Sequence, residues 1–136
     1  NSIQIIDKDI FYKMIFDKKY YRGFLWNKLI KRNLVINEGM PIKFDTDIHM
    51  MEDLVFICKI AERMNRAYYA NDEFLYNYVK RENSALNMEF NNRTYSALKA
   101  FKILENMAYW ELRISLYSFD IFCFEVSISF LLIAAS

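Results

Sequence analysis

Apolar residues recur at three- and four-residue steps in three segments of the chain, residues 7–21, 50–64 and 89–116. This spacing is typical of amphipathic helices. In the first segment Asp7 is placed as the N-cap and Gly23 as a stop signal. In the last segment the apolar side carries Tyr95, Leu98, Phe101, Leu104, Ala108 and Leu112.

A shorter helix is predicted for residues 25–33, because the basic pair Lys31-Arg32 near its end suits the negative pole of a helix dipole. Residues 37–47 contain Gly39 and the single proline, Pro41, which predicts an irregular connection with a short extended piece at residues 42–44.

Two short strands are predicted for residues 67–70 and 73–79, which are rich in aromatic and β-branched side chains and are separated by a polar turn. Residues 80–87 are polar and predict a loop. The chain is therefore expected to be α+β and mainly helical, with a short antiparallel strand pair. Residues 1–88 form one unit in this prediction, and residues 89–136 form a helical extension packed on it.

The segment 119–135 is mainly apolar but contains Asp120 and Glu125. A membrane-spanning helix needs about 20 predominantly apolar residues, and this segment is shorter and carries two acids. Three interpretations remain open: a packed terminal helix or strand, a segment that contacts a membrane or a partner, and a poorly ordered end.

Composition narrows the classes of function. The 136 residues are 54% hydrophobic and 18% aromatic, which favours one folded domain with a single core. The formal net charge is only +1, and no basic cluster of the kind that binds nucleic acid is present. Cys58 and Cys123 lie far apart among apolar residues and are expected to be buried, reduced thiols of a cytosolic protein.

Three short motifs follow one another along the chain: Trp26-Asn27-Lys28-Leu29, then Glu52-Asp53, then residues 75–84 with the sequence LYNYVKRENS. In this order and spacing they resemble the C-terminal half of bacterial glycosyltransferases of the GT-A type, sequence family two, which build capsular and other surface polysaccharides. The resemblance covers residues 7–84. It implies a nucleotide-sugar donor and a glycan acceptor.

The resemblance implies catalytic roles for the acidic pair, with Asp53 as the general base. An acceptor hydroxyl is a poor nucleophile, so a carboxylate within hydrogen-bond reach takes its proton as the oxygen attacks the anomeric carbon. Such a single displacement inverts the anomeric configuration. Glu52 is expected to orient the site or bind an acceptor hydroxyl. The alternative is that both acids only complement the dipole of the predicted helix.

The resemblance also implies substrate-binding positions in the flanking motifs, namely Trp26, Asn27, Lys28, Tyr76, Tyr78, Arg81 and Ser84. Arg81 is expected to contact the donor diphosphate, since a guanidinium pairs bidentately with phosphate oxygens; the alternative is a solvated loop charge. Trp26 either stacks on a sugar or nucleotide ring or anchors its helix as a buried residue. The alternative for Tyr76 and Tyr78 is that they only pack within the fold. The alternative for Ser84 is that it caps the segment that follows it.

No metal ligand is assigned in this chain. Asp45-Thr46-Asp47 has the Asp-x-Asp form that holds a divalent metal in such enzymes, but only Ile42 and Phe44 precede it, where the family has a buried strand far upstream of the acidic pair. His49, the single histidine, is expected to be a loop residue.

The donor-binding half of the family has no counterpart in these residues, and only 2 glycines are present, too few for a glycine-rich phosphate loop. The start at Asn1 also suggests a piece of a longer chain. We therefore expect the full enzyme to need Mg²⁺ or Mn²⁺ and this chain alone to be inactive. The expected location is the cytoplasm, with the inner face of the membrane as an alternative.

A rival prediction comes from another class of protein. Residues 89–116 and the apolar tail would suit a helical interaction module, or one that associates with itself as a homo-oligomer, without catalysis. A peripheral membrane anchor is a third alternative for residues 119–136.

Overall fold

A computed structural model describes residues 3–17, 20, 23–70, 76–77, 79 and 92–111. Within them the chain is α+β, as predicted. The elements in order are β1 (Ile3–Asp7), α1 (Lys8–Phe16), α2 (Arg32–Val35), β2 (Ile36–Asn37), β3 (Met40–Pro41), α3 (Glu52–Glu62), β4 (Arg66–Ala70) and α4 (Asn92–Glu111).

Helix α1 begins where the sequence predicts it, because the Asp7 carboxylate accepts a 2.8 Å hydrogen bond from the Ile10 amide. The helix ends at Phe16, earlier than residue 21. Asp17 turns to extended backbone while its N–H donates to the Lys13 carbonyl at 3.1 Å. Gly23 is not the stop signal, since its contact is with α3.

Strand β1 was not predicted, and it is the partner of β4. The two pair antiparallel from Ile3 opposite Ala70 to Asp7 opposite Arg66. The strand predicted at residues 67–70 is confirmed, but its partner is β1. The second predicted strand, residues 73–79, lies mostly outside the described residues, as does the predicted loop at residues 80–87.

One face of the β1–β4 pair enters the core through Ile6, while the other is open. Opposed residues of an antiparallel pair share a face. Ile3, Ile5 and Tyr68 lie on the open face and are 63%, 63% and 59% exposed.

The helix predicted at residues 25–33 is wrong. Residues 23–30 form irregular turns, and only one helical turn, α2, follows. The next segment is more regular than predicted, because β2 and β3 form a hairpin. Its central residues Glu38 and Gly39 have φ of 49° and 79°, as a type I′ turn requires. Residues 42–44 form no strand.

Arg63, which follows α3, ties this hairpin to the rest of the fold. Its Nη1 donates to the carbonyls of Leu34, Val35 and Met40 at 3.3, 3.3 and 3.1 Å. A single guanidinium nitrogen therefore bonds to backbone carbonyls of α2 and of β3.

Helix α3 is the centre of the core, and its prediction is confirmed. Seven of its residues are buried, which is the pattern of a helix covered on most sides. They are Leu54, Val55, Phe56, Ile57, Cys58, Ile60 and Ala61. Helix α1 packs on it, and the Tyr12 hydroxyl donates to the Cys58 carbonyl at 3.1 Å in the buried interface. Burial also raises the pKa of the Cys58 thiol.

Helix α4 confirms the helix predicted at residues 89–116 as far as Glu111, and Leu104 of the predicted apolar side is buried, but Tyr95 and Leu98 of that side are not. Tyr95 and Leu98 are 56% and 62% exposed, whereas Ala97, Ala100 and Leu104 are buried. The small side chains of Ala97 and Ala100 let α4 approach α3 closely. The packing gained by this approach outweighs the burial of the larger apolar side chains of Tyr95 and Leu98. No helix in the described part of the chain is long and apolar enough to cross a membrane.

Candidate functional site

Glu52 and Asp53 occupy the first turn of α3, as predicted, and both are half-buried. The preceding residue, Met51, has φ 66° and ψ 15°, in the left-handed region. For a residue other than glycine this backbone costs on the order of 1–3 kcal/mol, so its surroundings must hold it. The Met51 carbonyl accepts the first helical hydrogen bond, from Val55 N at 3.0 Å.

The loop before Met51 is held by α4. The Ser96 hydroxyl accepts hydrogen bonds from the backbone amides of His49 and Met50, at 2.8 and 3.2 Å. Ile48, just upstream, is buried in the core. Contacts on both sides of the loop therefore fix the start of α3 and the direction of its acidic pair.

The irregular segment 23–30 lies against the same end of α3. The Leu25 amide donates to Asp53 Oδ2 at 3.4 Å. A Cβ on Gly23 would lie 2.3 Å from Leu54 Cδ1, so the backbone of this segment rests directly on α3. These contacts hold residues 23–25 against α3, and the close approach requires a glycine at position 23.

Lys28 folds back within this segment. Its ammonium donates to the Phe24 carbonyl and to Asn27 Oδ1, the latter at 2.8 Å. Burial lowers the pKa of Lys28 to about 8, and the nearby Asp53 carboxylate opposes that shift. A cation and a carboxylate thus share a partly desolvated environment.

Three aromatic rings, Phe24, Trp26 and Tyr76, form a continuous stack, which we call the aromatic stack. The centroids of Phe24 and Trp26 are 5.4 Å apart with 22° between planes, and those of Trp26 and Tyr76 are 4.9 Å apart with 27°. Trp26 is 38% exposed and lies outside any helix, so the interpretation of a buried helix anchor is wrong.

Among the predicted site residues, Lys28 lies near Asp53 and bonds to Asn27, and Trp26 stacks on Tyr76. Glu52 shares the helical turn with Asp53. Tyr78, Arg81 and Ser84 lie outside the described residues.

Asp45 and Asp47 are engaged in structural contacts. Asp45 Oδ1 accepts a 3.0 Å bond from the Asp47 amide, which contributes most to lowering the pKa of Asp45, and both carboxylates pair with Lys99, at 3.4 and 2.8 Å. No group of three or more metal-binding side chains occurs among the described residues. These two acids do not fit a Mg²⁺ or Mn²⁺ site. His49 contributes its backbone amide, which donates to the Ser96 hydroxyl.

Sequence reasoning missed Phe24, Gly23, Met51 and Ser96. Phe24 had a local signal, since it is an aromatic residue two positions before the motif that begins at Trp26. The contacts of Ser96 join positions 46 and 47 residues apart, and nothing local to either partner indicates them. The left-handed Met51 is likewise unexpected for its residue type.

Comparison of the chain with protein-family models, curated proteins and solved structures gives no match.

Proposed function

We propose that this chain is the acceptor-side part of an inverting glycosyltransferase that uses a nucleotide-sugar donor. Asp53 is the general base in this proposal, and Glu52 binds or orients the acceptor. A glycan of a surface polysaccharide is the acceptor class, and the enzyme works in the cytoplasm at the inner face of the membrane.

The observation that carries the proposal is the environment of Asp53. Its carboxylate is half-buried at the start of α3, beside the segment that contributes the aromatic stack and Lys28. The motifs that carry the sequence resemblance are far apart in the chain, yet Trp26 stacks on Tyr76, and the amide of Leu25, the residue before Trp26, donates to Asp53. A shared neighbourhood is what a common catalytic role requires.

The chemistry follows from a carboxylate that is only partly buried. An acceptor hydroxyl that donates to Asp53 gives up its proton as the oxygen bonds to the anomeric carbon of the donor. The bond from that carbon to the nucleoside diphosphate breaks on the opposite face, and the configuration inverts. The backbone amide of Leu25 holds the carboxylate in position through a hydrogen bond to Oδ2.

In this proposal the donor and the divalent metal bind to residues other than those described, while Asp45 and Asp47 pair with Lys99. In the full enzyme Mg²⁺ or Mn²⁺ would neutralise the diphosphate as it leaves. The prediction that this chain alone does not turn over a sugar nucleotide belongs to the same proposal.

The test replaces Asp53 by asparagine in the longest natural protein that contains these residues. We expect glycan transfer to fall by about 10²–10⁴-fold, the usual contribution of a general base, while binding of the nucleotide-sugar is unchanged. Transfer is measured as labelled sugar incorporated into glycan, and donor binding by calorimetry.

Asp47→Asn is the matched control, because it removes an exposed carboxylate that pairs with Lys99 and has no role in the proposed chemistry. It should leave transfer intact. Full transfer by the Asp53→Asn variant would remove Asp53 from the base role, and turnover by the 136-residue chain alone would contradict the proposed division of labour.

A second proposal is a helical interaction or self-association module. It is favoured by the exposure of Tyr95 and Leu98 on α4. Sedimentation of the wild-type chain and of Leu98→Ser distinguishes the two functions. Association that requires Leu98, together with no effect of Asp53→Asn, would favour the module.

A further inference from the structure

The open face of the β1–β4 pair is apolar over most of its length. We call its residues, all of them exposed, the open sheet face: Ile3, Ile5, Asp7, Arg66, Tyr68 and Ala70. A sheet normally buries an apolar face against a second layer of structure. The other face of the pair does so, because Ile6 lies in the core. The open sheet face is therefore a candidate docking surface.

The two ends of the open sheet face differ in charge. At one end Asp7 lies directly opposite Arg66, and at the other Ile3 lies opposite Ala70. Ile5, opposite Tyr68, occupies the middle. The face thus combines an apolar centre with one cation and one anion side by side, so a surface with the same pattern can complement it.

A second copy of this chain presents that pattern, and two such faces can stack about a twofold axis. Stacked sheets prefer roughly aligned strands, which leaves two directions for the axis in the plane between them. With the axis across the strands, Asp7 of each copy covers Ile3 of the other, and Arg66 covers Ala70. Both charges would then lose water to apolar groups, which is costly.

The other direction, with the axis along the strands, places β1 of each copy over β4 of the other. Asp7 of each copy then meets Arg66 of the other, and Ile5 packs on Tyr68. Stacked sheets lie about 10 Å apart, a distance that a long arginine and a short carboxylate can bridge together. Charge complementarity therefore selects this arrangement and identifies a second copy as the partner that fits.

We infer that the open sheet face is a homodimer interface in which two copies stack β1 over β4 about a twofold axis along the strands. The strands have only five residues each, so the dimer buries less than the roughly 1,200 Å² of stable interfaces and is weak, with a dissociation constant in the micromolar to millimolar range. The interface goes beyond the proposed function, because none of its residues has a role in the chemistry at Asp53.

The test is sedimentation equilibrium of the 136-residue chain at micromolar to millimolar concentrations. The wild type should dimerise in this range. Ile5→Thr and Tyr68→Thr should each weaken the dimer by about tenfold or more, because each removes apolar surface from the centre of the interface in both copies. Threonine suits a strand, so the fold should persist, as checked by near-ultraviolet circular dichroism. A wild type that stays monomeric overturns the inference, and so does unchanged affinity in both variants.

The pairing of charges is tested by Arg66→Glu and Asp7→Asn. Arg66→Glu places two pairs of carboxylates against each other in its dimer and should weaken association by about tenfold or more. Asp7→Asn removes the negative charge and keeps an N-cap for α1. An equimolar mixture of the two variants restores one ion pair without repulsion, so it should associate more tightly than Arg66→Glu alone. No recovery in the mixture overturns the stacking of β1 over β4.

Leu98→Ser is the matched control, because Leu98 is 62% exposed on α4 and does not belong to the open sheet face. This variant should dimerise like the wild type. Association that is lost in Leu98→Ser and retained in Ile5→Thr overturns the inference and favours the α4 module proposed above. Transfer by the longer protein is a separate measurement, so failure of the dimer leaves the proposed role of Asp53 untouched.

Discussion

Gly23→Ala tests whether the segment of the aromatic stack is seated on α3 as described. A Cβ at position 23 would lie 2.3 Å from Leu54 Cδ1 and 3.1 Å from both Leu54 Cβ and Cγ. Leu54 is only 7% exposed, so its side chain has little room to move. The substitution must therefore displace either Leu54 or the segment beside Asp53.

The expected magnitude follows from the kind of contact. Overpacking of one methyl group in a well-packed core lowers the free energy of unfolding by about 1–3 kcal/mol. Leu54→Ala alone removes a buried side chain and should lower it by about 2–5 kcal/mol. Leu54→Ala removes the Leu54 Cδ1 and Cγ atoms that the new methyl group would contact. In that background most of the effect of Gly23→Ala on the free energy of unfolding should therefore disappear.

The assay is a double-mutant cycle in urea, with all four proteins in the same concentration of trimethylamine oxide, so that Leu54→Ala stays folded. We expect a coupling free energy of about 1–3 kcal/mol between positions 23 and 54. The amide resonance of Leu25 should also shift in Gly23→Ala, because its hydrogen bond to Asp53 lies two residues away.

Gly39→Ala is the control, since its backbone φ is +79° and nothing lies within 4 Å of an added Cβ. Its left-handed backbone should cost about 1–2 kcal/mol in either Leu54 background. Additive effects of Gly23→Ala and Leu54→Ala would refute the described seating of the segment, and so would a Gly23→Ala protein of wild-type stability.

Two further predictions concern buried polar groups near α3. Tyr12→Phe removes the hydroxyl that donates to the Cys58 carbonyl at 3.1 Å and should lower the free energy of unfolding by about 0.5–1.5 kcal/mol in urea, whereas Tyr68→Phe on the open sheet face should change it little. The pKa of Lys28 falls from 10.5 to about 8 on folding, so the unfolded chain binds more protons between these values and Lys28 makes stability rise with pH across this window. Lys28→Met should remove that rise. Compared with the wild type, the variant should gain free energy of unfolding, and this gain should shrink from pH 7 to pH 10 by on the order of 1 kcal/mol after allowance for solvent screening. A gain independent of pH would contradict the burial of this ammonium.

The candidate site was partly accessible from sequence. The acidic pair in the first turn of a helix followed from the apolar spacing of residues 50–64 alone. The stacking of Trp26 on Tyr76 could not be predicted from the sequence, because the two rings are 50 positions apart and each has only a weak motif around it. The catalytic and substrate-binding roles remain proposals.

The sequence by itself determined α1, α3, β4 and α4, because their periodicity, caps and β-branched or aromatic content all favour the same local structure. Tertiary structure decided the rest. Residues 25–33 have a helical pattern, yet residues 23–30 form irregular turns, and their first residues rest on α3 through the Leu25 amide and Gly23. On α4, close packing buries Ala97 and Ala100 in place of Tyr95 and Leu98. In each case contacts between distant segments outweighed a local preference of less than about 1 kcal/mol per residue.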